Sequence, residues 1–327
     1  MEDNDEGNVK VLVTGGAGFI GSHLCERLLL DGNTVICLDN FNDFYSPEIK
    51  RDNISNIINN PRFLLIEGDI RDLNCLSVLF RNHTPDLVVH LAAMAGVRPS
   101  LENPSLYYDV NINGTSNLLE QCRLHGVRDF VFASSSSVYG NNIKVPFSES
   151  DSVDHPISPY AYTKKTGELL CHLYYHLYGM SIVALRFFTV YGPRQRPDLA
   201  IYKFTDEIVE HHPIFVYGNG QSRRDYTYID DIIDGVMRSI SFVTKNRCYE
   251  IFNLGESQPV TLCDMIMTIE NALGITAEKK TKPMQPGDVE QTYADIEKSR
   301  KYLAYDPHTD FKDGIERFIK WYLEKKK

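Results

Sequence analysis

No Cys-x-x-Cys pair occurs in this chain. Its seven cysteines, at positions 25, 37, 75, 122, 171, 248 and 263, are scattered, and an odd count suits no complete disulfide framework. They read as reduced core thiols in a cytoplasmic protein. The ten histidines form no ligand-spaced cluster, so no metal is expected. No apolar run reaches the ~20 residues that cross a membrane, so no membrane partner is expected. Positive charge is in deficit, with 34 Lys and Arg against 44 Asp and Glu and a net charge of -10. That argues against a general nucleic-acid binder. It leaves an anionic substrate open, because such binding depends on local arginines. There is no internal repeat and no low-complexity linker. The opening Met1-Glu2-Asp3-Asn4-Asp5-Glu6 lacks the basic and apolar regions of a secretion signal, and residues 1–8 are expected to be an acidic, frayed tail.

What is present is order along the chain. The 327 residues suffice for a large core and roughly two domains. From residue 9, short apolar runs alternate with longer amphipathic stretches. Strands are expected over residues 9–14, 34–38, 63–67, 87–91, 129–133 and 181–186, and helices over 20–30, 104–125 and 159–178. Such alternation implies parallel strands joined by right-handed crossovers. After Thr189 the regularity fades and prolines and glycines cluster, at Gly192-Pro193, Pro197, Pro213, 218–220, Pro259, Pro283 and Pro286-Gly287. One domain is therefore expected over 9–189 and a smaller one over 190–327, with segments near 225–255 returning to the sheet.

Thr14-Gly15-Gly16-Ala17-Gly18-Phe19-Ile20-Gly21 follows the first strand and opens the first helix. Glycines at 16, 18 and 21, or at 15, 18 and 21, meet the two forms of the dinucleotide fingerprint. Absent side chains permit a tight turn and close approach of backbone to pyrophosphate, while the helix N-terminus offers N–H donors to phosphate. Asp39 ends the second strand, near the offset of about 20 residues expected for a carboxylate on ribose hydroxyls. It would repel a 2′-phosphate, so NAD is expected rather than NADP. Asp69, in Gly68-Asp69-Ile70 after the third strand, is a candidate adenine contact. The alternative for Asp69 is a cap for a helix over residues 71–80. The expected fold class is thus α/β, a Rossmann-type doubly wound parallel sheet with a smaller, mixed α/β C-terminal substrate-binding domain.

Tyr160 and Lys164 are four residues apart, on one face of a helix that begins at Ser158-Pro159. An ammonium there favours the phenolate and makes Tyr160 a usable base. Tyr162 has Thr166 rather than Lys four residues on, so Tyr160 is preferred. The run Ser134-Ser135-Ser136-Ser137-Val138-Tyr139-Gly140 follows an apolar strand, at the strand end where such sheets bind ligands. A Ser from that end can bond the oxygen that Tyr160 deprotonates. This is equipment for oxidising an alcohol beside a hydride acceptor. Among the arginines, Arg194 and Arg196 could be a solvated surface pair or contact substrate, and of Arg223 and Arg224 one would bind phosphate and the other be a surface charge. Lys203 is expected to face solvent unless it reaches substrate. The Leu, Phe and Tyr stripes within 100–125 and 165–178 read most simply as core.

Together these segments resemble the extended short-chain dehydrogenase/reductase family, specifically its nucleotide-sugar epimerases. The resemblance runs from Val9 to about Tyr322. It rests on residues 15–21, His90-Leu91-Ala92-Ala93, 134–140, 160–164, Arg186-Phe187-Phe188-Thr189-Val190-Tyr191-Gly192-Pro193 and Arg224-Asp225-Tyr226. Residues 39–45, Ala95-Gly96-Val97-Arg98, 194–200 and 283–289 are similar to UDP-glucuronate 4-epimerases in particular. The resemblance implies Ser135, Tyr160 and Lys164 as the catalytic set. It implies Gly15, Gly18, Phe19, Ile20, Gly21, Asp39, Asn40, Asp69, Ile70, Leu91, Ala92, Ala93 and Asn111, with Tyr160 and Lys164, around NAD. A UDP-sugar would meet Arg98, Ser135, Ser136, Ser137, Tyr160, Thr189, Arg196, Lys203, Tyr217, Arg224 and Asp288. Arg224 matches the family arginine on the diphosphate, and Asp288 the acid near the uridine ribose. Thr189 stands where UDP-galactose 4-epimerases carry Asn, and Gln285 where they carry Arg.

The implied reaction is inversion at C4 of the sugar through a 4-keto form, with NAD regenerated each turn. Related decarboxylases and 4,6-dehydratases carry an acid two residues before the Tyr of their Val-Tyr-Gly segment. This chain has Ser137 there. UDP-glucose and UDP-N-acetylglucosamine epimerases, UDP-glucuronate decarboxylase and a non-catalytic NAD sensor remain the alternatives. The family also implies a homodimer through a four-helix interface.

Overall fold

The computed structural model describes residues 9–283 and 290–326. Its centre is a seven-stranded sheet. The strands in chain order are β1 Lys10–Thr14, β2 Thr34–Asp39, β3 Phe63–Glu67, β4 Leu87–His90, β5 Asp129–Ser135 and β6 Ser181–Phe187. Three short strands follow, β7 Thr189–Tyr191, β8 Ile214–Tyr217 and β9 Arg223–Tyr228, and then β10 Tyr249–Leu254. The order across the sheet is β10-β6-β5-β4-β1-β2-β3, and every pairing is parallel. The order reverses between β1 and β4, which leaves a crevice at the strands' C-terminal ends. β11 Pro259–Thr261 joins β9 and β7 in a small sheet, and β12 Lys279–Lys282 pairs with β8.

The helices are α1 Phe19–Leu30, α2 Pro47–Asn53, α3 Leu73–His83, α4 Val97–Glu102, α5 Pro104–Tyr108, α6 Thr115–Leu124 and α7 Pro159–Tyr178. Beyond the sheet's sixth strand come α8 Ala200–Val209, α9 Ile229–Lys245, α10 Leu262–Leu273, α11 Glu297–Leu303 and α12 Phe311–Lys325. Strands buried on both faces read as continuous apolar runs, because helices cover both sides. Alternate residues of one strand divide between two cores. Val11 and Val13 belong to one with Leu24 and Val236, and Leu12 to the other with Leu79 and Leu118. α9 and β10 lie far along the chain, yet β10 completes the edge of the main sheet beside β6.

Local signals account for most element ends. Ser158 accepts from Ala161 N at 3.1 Å, Pro159 occupies the first turn, and Gly179 closes α7 in a left-handed conformation. The cap of α3 is Asp72, which accepts from Asn74 N and Cys75 N, and the helix starts at Leu73. The alternative of Asp69 as a helix cap is therefore overturned. The helix expected over 104–125 is interrupted by a π-helical stretch, Asp109–Gly114. There Asn111 leaves the regular pattern of partners. It accepts from Met94 N and donates to Met94 O and Thr163 Oγ1. Such a bulge re-aims side chains within a helix.

Two burial expectations also change. Leu169, Leu173, Leu177 and Tyr178 on α7, with Tyr108 and Leu124, are exposed rather than core. All seven cysteines are free, but Cys263 is exposed and only Cys25, Cys37, Cys122 and Cys171 are fully buried.

Candidate active site

The crevice holds a cavity of about 520 Å³, within the range of small-molecule sites. The glycine loop forms one wall. Gly15 has φ +70, and a Cβ there would lie 2.8 Å from Ala92 N. At Gly21 a Cβ would lie 2.2 Å from Gly15 O. Only glycine lets α1 start so close to β4, and this leaves a trough with backbone rather than side chains on its floor. Gly15, Gly18, Phe19, Ile20 and Gly21 line it, with Asp39, Asn40, Asp69, Ile70, Leu91, Ala92 and Ala93. Asp39 is buried. Its carboxylate accepts from Ala17 N at 3.1 Å and from Phe41 N at 2.9 Å, so it anchors the loop. Asp69 accepts a bidentate pair from Arg71 and a bond from Asn40 Nδ2 at 2.9 Å. Those bonds hold its carboxyl down, to about 2, against the opposing effect of burial. Asn111 does not line the cavity. It lies behind the wall, tying Met94 to Thr163.

The second wall is built from β5, α7 and the loops after β6. β5 runs two residues further than the apolar pattern, to Ser135, and Ser136–Tyr139 then makes a 3-10 turn. This puts Ser135, Ser136 and Ser137 into the cavity beside Tyr160. Ser135 accepts from Ser137 N at 3.2 Å. The Ser137 hydroxyl is buried and finds no hydrogen-bond partner among the described residues. Burial raises the pKa of the Tyr160 hydroxyl, while the Ser135 hydrogen bond and the Arg196 charge pull it down. Lys164 is buried, its ammonium donates to Ala133 O at 2.7 Å, and it lies 5.9 Å from the centre of the Tyr160 ring. Burial lowers the Lys164 pKa to about 8. Arg196 is a second cation that lowers the Tyr160 pKa, one that the Tyr-x-x-x-Lys spacing does not mark. Tyr162, the rival tyrosine, is 46% exposed on the outer face.

Behind this wall lies a buried ion pair. Arg186 on β6 and Glu168 on α7 bond at 2.8 and 2.9 Å, and Ser134 donates to Glu168 at 2.6 Å. It ties α7 to β5 one residue from Ser135.

Thr189, Arg196 and Arg224 also line the cavity. Arg196 is not a solvated surface charge. It binds Asp198 through two bonds and packs 5.3 Å from the Phe44 ring centre. Its neighbour Arg194 instead pairs with Glu26 on α1 at 2.6 Å. Arg98, Tyr217 and Lys203 are not brought to the cavity lining. Arg98 stacks on the Tyr217 ring and Lys203 is exposed. Asp288 and Gln285 lie outside the described residues. The cavity also takes in Phe44, Tyr45 and Leu199, which lie in the 39–45 and 194–200 segments but were given no role, and Lys50, Phe147 and Thr292, which no motif marked.

Comparison with known proteins follows this geometry. The family model described as GDP-mannose 4,6 dehydratase matches residues 12–318. A protein named UDP-glucuronate 4-epimerase from Thermodesulfobacterium geofontis is 42% identical, over 96% of this chain and 96% of its own. Protein CapI of Staphylococcus aureus is 43% identical, over 97% and 99%. The crystal structure of UDP-glucuronic acid 4-epimerase from Bacillus cereus, in complex with UDP-glucuronic acid and NAD, superposes with a TM-score of 0.90. It is 39% identical and covers 96% of this chain and 99% of that one. The chain therefore belongs to the GDP-mannose 4,6-dehydratase family, the epimerase and dehydratase branch of the short-chain dehydrogenase/reductase proteins.

Proposed function

We propose that this enzyme is an NAD-dependent UDP-sugar 4-epimerase that converts UDP-glucuronate to UDP-galacturonate through a transient 4-keto sugar. One observation carries the choice of reaction. Among the described residues lining the cavity, the only carboxylates are Asp39 and Asp69, at the ends of β2 and β3. Elimination or loss of carbon dioxide needs an acid or base near C5. The residue beside Tyr160 and Ser135 is instead Ser137, with an unpartnered hydroxyl.

The trough fits a dinucleotide, since a Cβ at Gly15 or Gly21 would collide with the backbone that forms it and push the loop out of its tight turn. NAD held there would supply the hydride acceptor and donor for C4 of the sugar. Tyr160 takes the proton of the 4-hydroxyl and later gives it back. Ser135 hydrogen-bonds the same oxygen. Arg196 favours the Tyr160 anion, and Lys164, still mostly cationic at neutral pH, adds to that field. Arg224 anchors the diphosphate while the sugar turns over, and Asp288 meets the uridine ribose. Ser136, Ser137 and Thr189 hold the uronate carboxylate by hydrogen bonds, with Arg196 supplying charge. Tight binding of that group opposes its loss from a β-keto acid.

The outward stripe of Leu169, Leu173 and Leu177 on α7, continued by Tyr108 and Leu124, supports a homodimer in which the two helical faces form a four-helix bundle. Seven free cysteines, and the absence among the described residues of a helix able to cross a membrane, support a cytoplasmic location.

The test is incubation of pure protein with separate UDP-sugars, read by mass and chirality. UDP-galacturonate from UDP-glucuronate at unchanged mass is expected. A product lighter by carbon dioxide selects a decarboxylase, and turnover of UDP-glucose alone selects the galactose branch.

A further inference from the structure

Lys50 is an unusual residue for a cavity wall. It sits on α2, its side chain is 9% exposed, and no motif called attention to it. Its ammonium donates to Asn42 O at 2.8 Å, lies 4.0 Å from Asp39 Oδ1, and stands 5.0 Å from the centre of the Tyr45 ring. One helical turn on, buried Asn53 donates to Ala17 O at 3.1 Å. The N–H of the same Ala17 is held by Asp39. The short helix thus grips both polar groups of one glycine-loop residue, the carbonyl directly and the N–H through Asp39. An isolated lysine this deep is costly unless a charge partner faces it. The partner here is the carboxylate expected to bind a ribose.

We propose that Lys50 is a cofactor-positioning residue: with Asn53 it makes α2 the support of the glycine loop, and its ammonium is the counter-ion that keeps Asp39 an acceptor for the ribose hydroxyls of NAD. The inference rests on the NAD reading above and assigns a residue to it. The groups facing Asp39 are Lys50 from α2, Glu67 from β3, Cys37 on its own strand, Tyr45 in the following loop, and the N–H groups of Ala17 and Phe41. Lys50 is the cation among them. Burial and Glu67 push the carboxyl up, and Lys50 opposes them. Without Lys50 the carboxylate protonates at higher pH, and a protonated carboxyl can accept from fewer hydroxyls.

NAD binding to the cofactor-stripped enzyme, measured by calorimetry at pH 8 and pH 6, decides the matter. Wild type should bind with nearly the same affinity at both. Lys50→Met should bind several-fold more weakly at pH 6 than at pH 8, the loss expected once the Asp39 carboxyl, without its counter-ion, is largely protonated at pH 6 in the cofactor-free enzyme. Lys50→Arg should restore the flat profile, and Lys50→Gln serves if the Met variant does not fold. Equal affinity of wild type and Lys50→Met at both values overturns the proposal. So does an equal loss at both values that Lys50→Arg fails to repair, which would make Lys50 a packing residue. A loss confined to NADP, with NAD unaffected, would make Lys50 a phosphate partner and also overturn it. Failure of the wild type to bind NAD at all would remove the cofactor reading itself.

Discussion

The two ends of the cavity are built differently. The cofactor end is made from contiguous pieces, each at the C-terminal end of a parallel strand: residues 15–21 after β1, Asp39 on β2, Asp69 after β3 and 91–93 after β4. The sugar end is assembled from distant loops, with Ser137 near β5, Thr189 after β6, Arg196 before α8, and Arg224 on β9. The first is specified by a repeating strand–turn–helix geometry, so a motif predicts a position. The second depends on where long connections fold back, and three of its expected members, Arg98, Lys203 and Tyr217, stay off the cavity wall. Tyr160 on α7 and Ser135 at the end of β5, the proposed acid–base residues, line the same cavity.

If the division holds, the chemistry at the junction should separate from binding at either end. Tyr160→Phe should cut turnover by about 10³-fold while NAD and UDP-sugar still bind, as seen by single-turnover assay and calorimetry. Retained turnover would remove Tyr160 as the base. At the sugar end, Thr189→Asn should reduce preference for UDP-glucuronate over UDP-glucose about tenfold in kcat/KM, with NAD affinity unchanged. An unchanged ratio would show that Thr189 does not read the carboxylate.

The smallest effect concerns the structure behind the sugar end. Burial, with Asp231 and Asp225 nearby, lifts the Glu256 carboxyl from 4.5 to about 8, and one of its oxygens has no partner among the described residues. Asp225, which accepts from Glu256 N, Ser257 N and Ala294 N, is likewise lifted by burial to about 6. A raised folded-state value means that the folded protein holds a proton the unfolded chain releases. Stability from Glu256 is therefore complete below pH ~4.5 and lost as pH rises through ~8. Glu256→Gln should raise the Tm by a few degrees at pH 8.5 and scarcely at pH 5. An equal gain at both values would rule out the carboxyl as the cause. At the cofactor end Asp69 shows the opposite arrangement, held low by Arg71 and Asn40, while Asp39 beside it is raised by burial as Glu256 is.

Some of the site was legible because its signals are local. Glycine spacing, a Ser-Pro helix start, and a Tyr and Lys four residues apart each act within one or two turns of chain. These determined the glycine trough and the start of α7, and singled out the tyrosine that the structure sets in the cavity wall. Periodicity alone could not show that residues 109–114 form a π-bulge, because Asn111 takes partners from β4's loop and from α7. Nor could it turn the Leu169–Leu173–Leu177 stripe outward, since an apolar stripe looks the same facing a core or a partner.

The sequence by itself determined the parallel α/β sheet and the glycine loop with Asp39 near it, because each follows from short-range geometry, and it marked Tyr160 and Lys164 as a pair on one helical face; Ser135 came from the family resemblance. Only the tertiary structure decided which charges act on these residues. It brought Arg196 in from beyond β7 to pull on Tyr160, engaged Lys164 with Ala133 O, and set Lys50 against Asp39. Charges act through space, and sequence spacing does not record the distances between elements that the fold brings together.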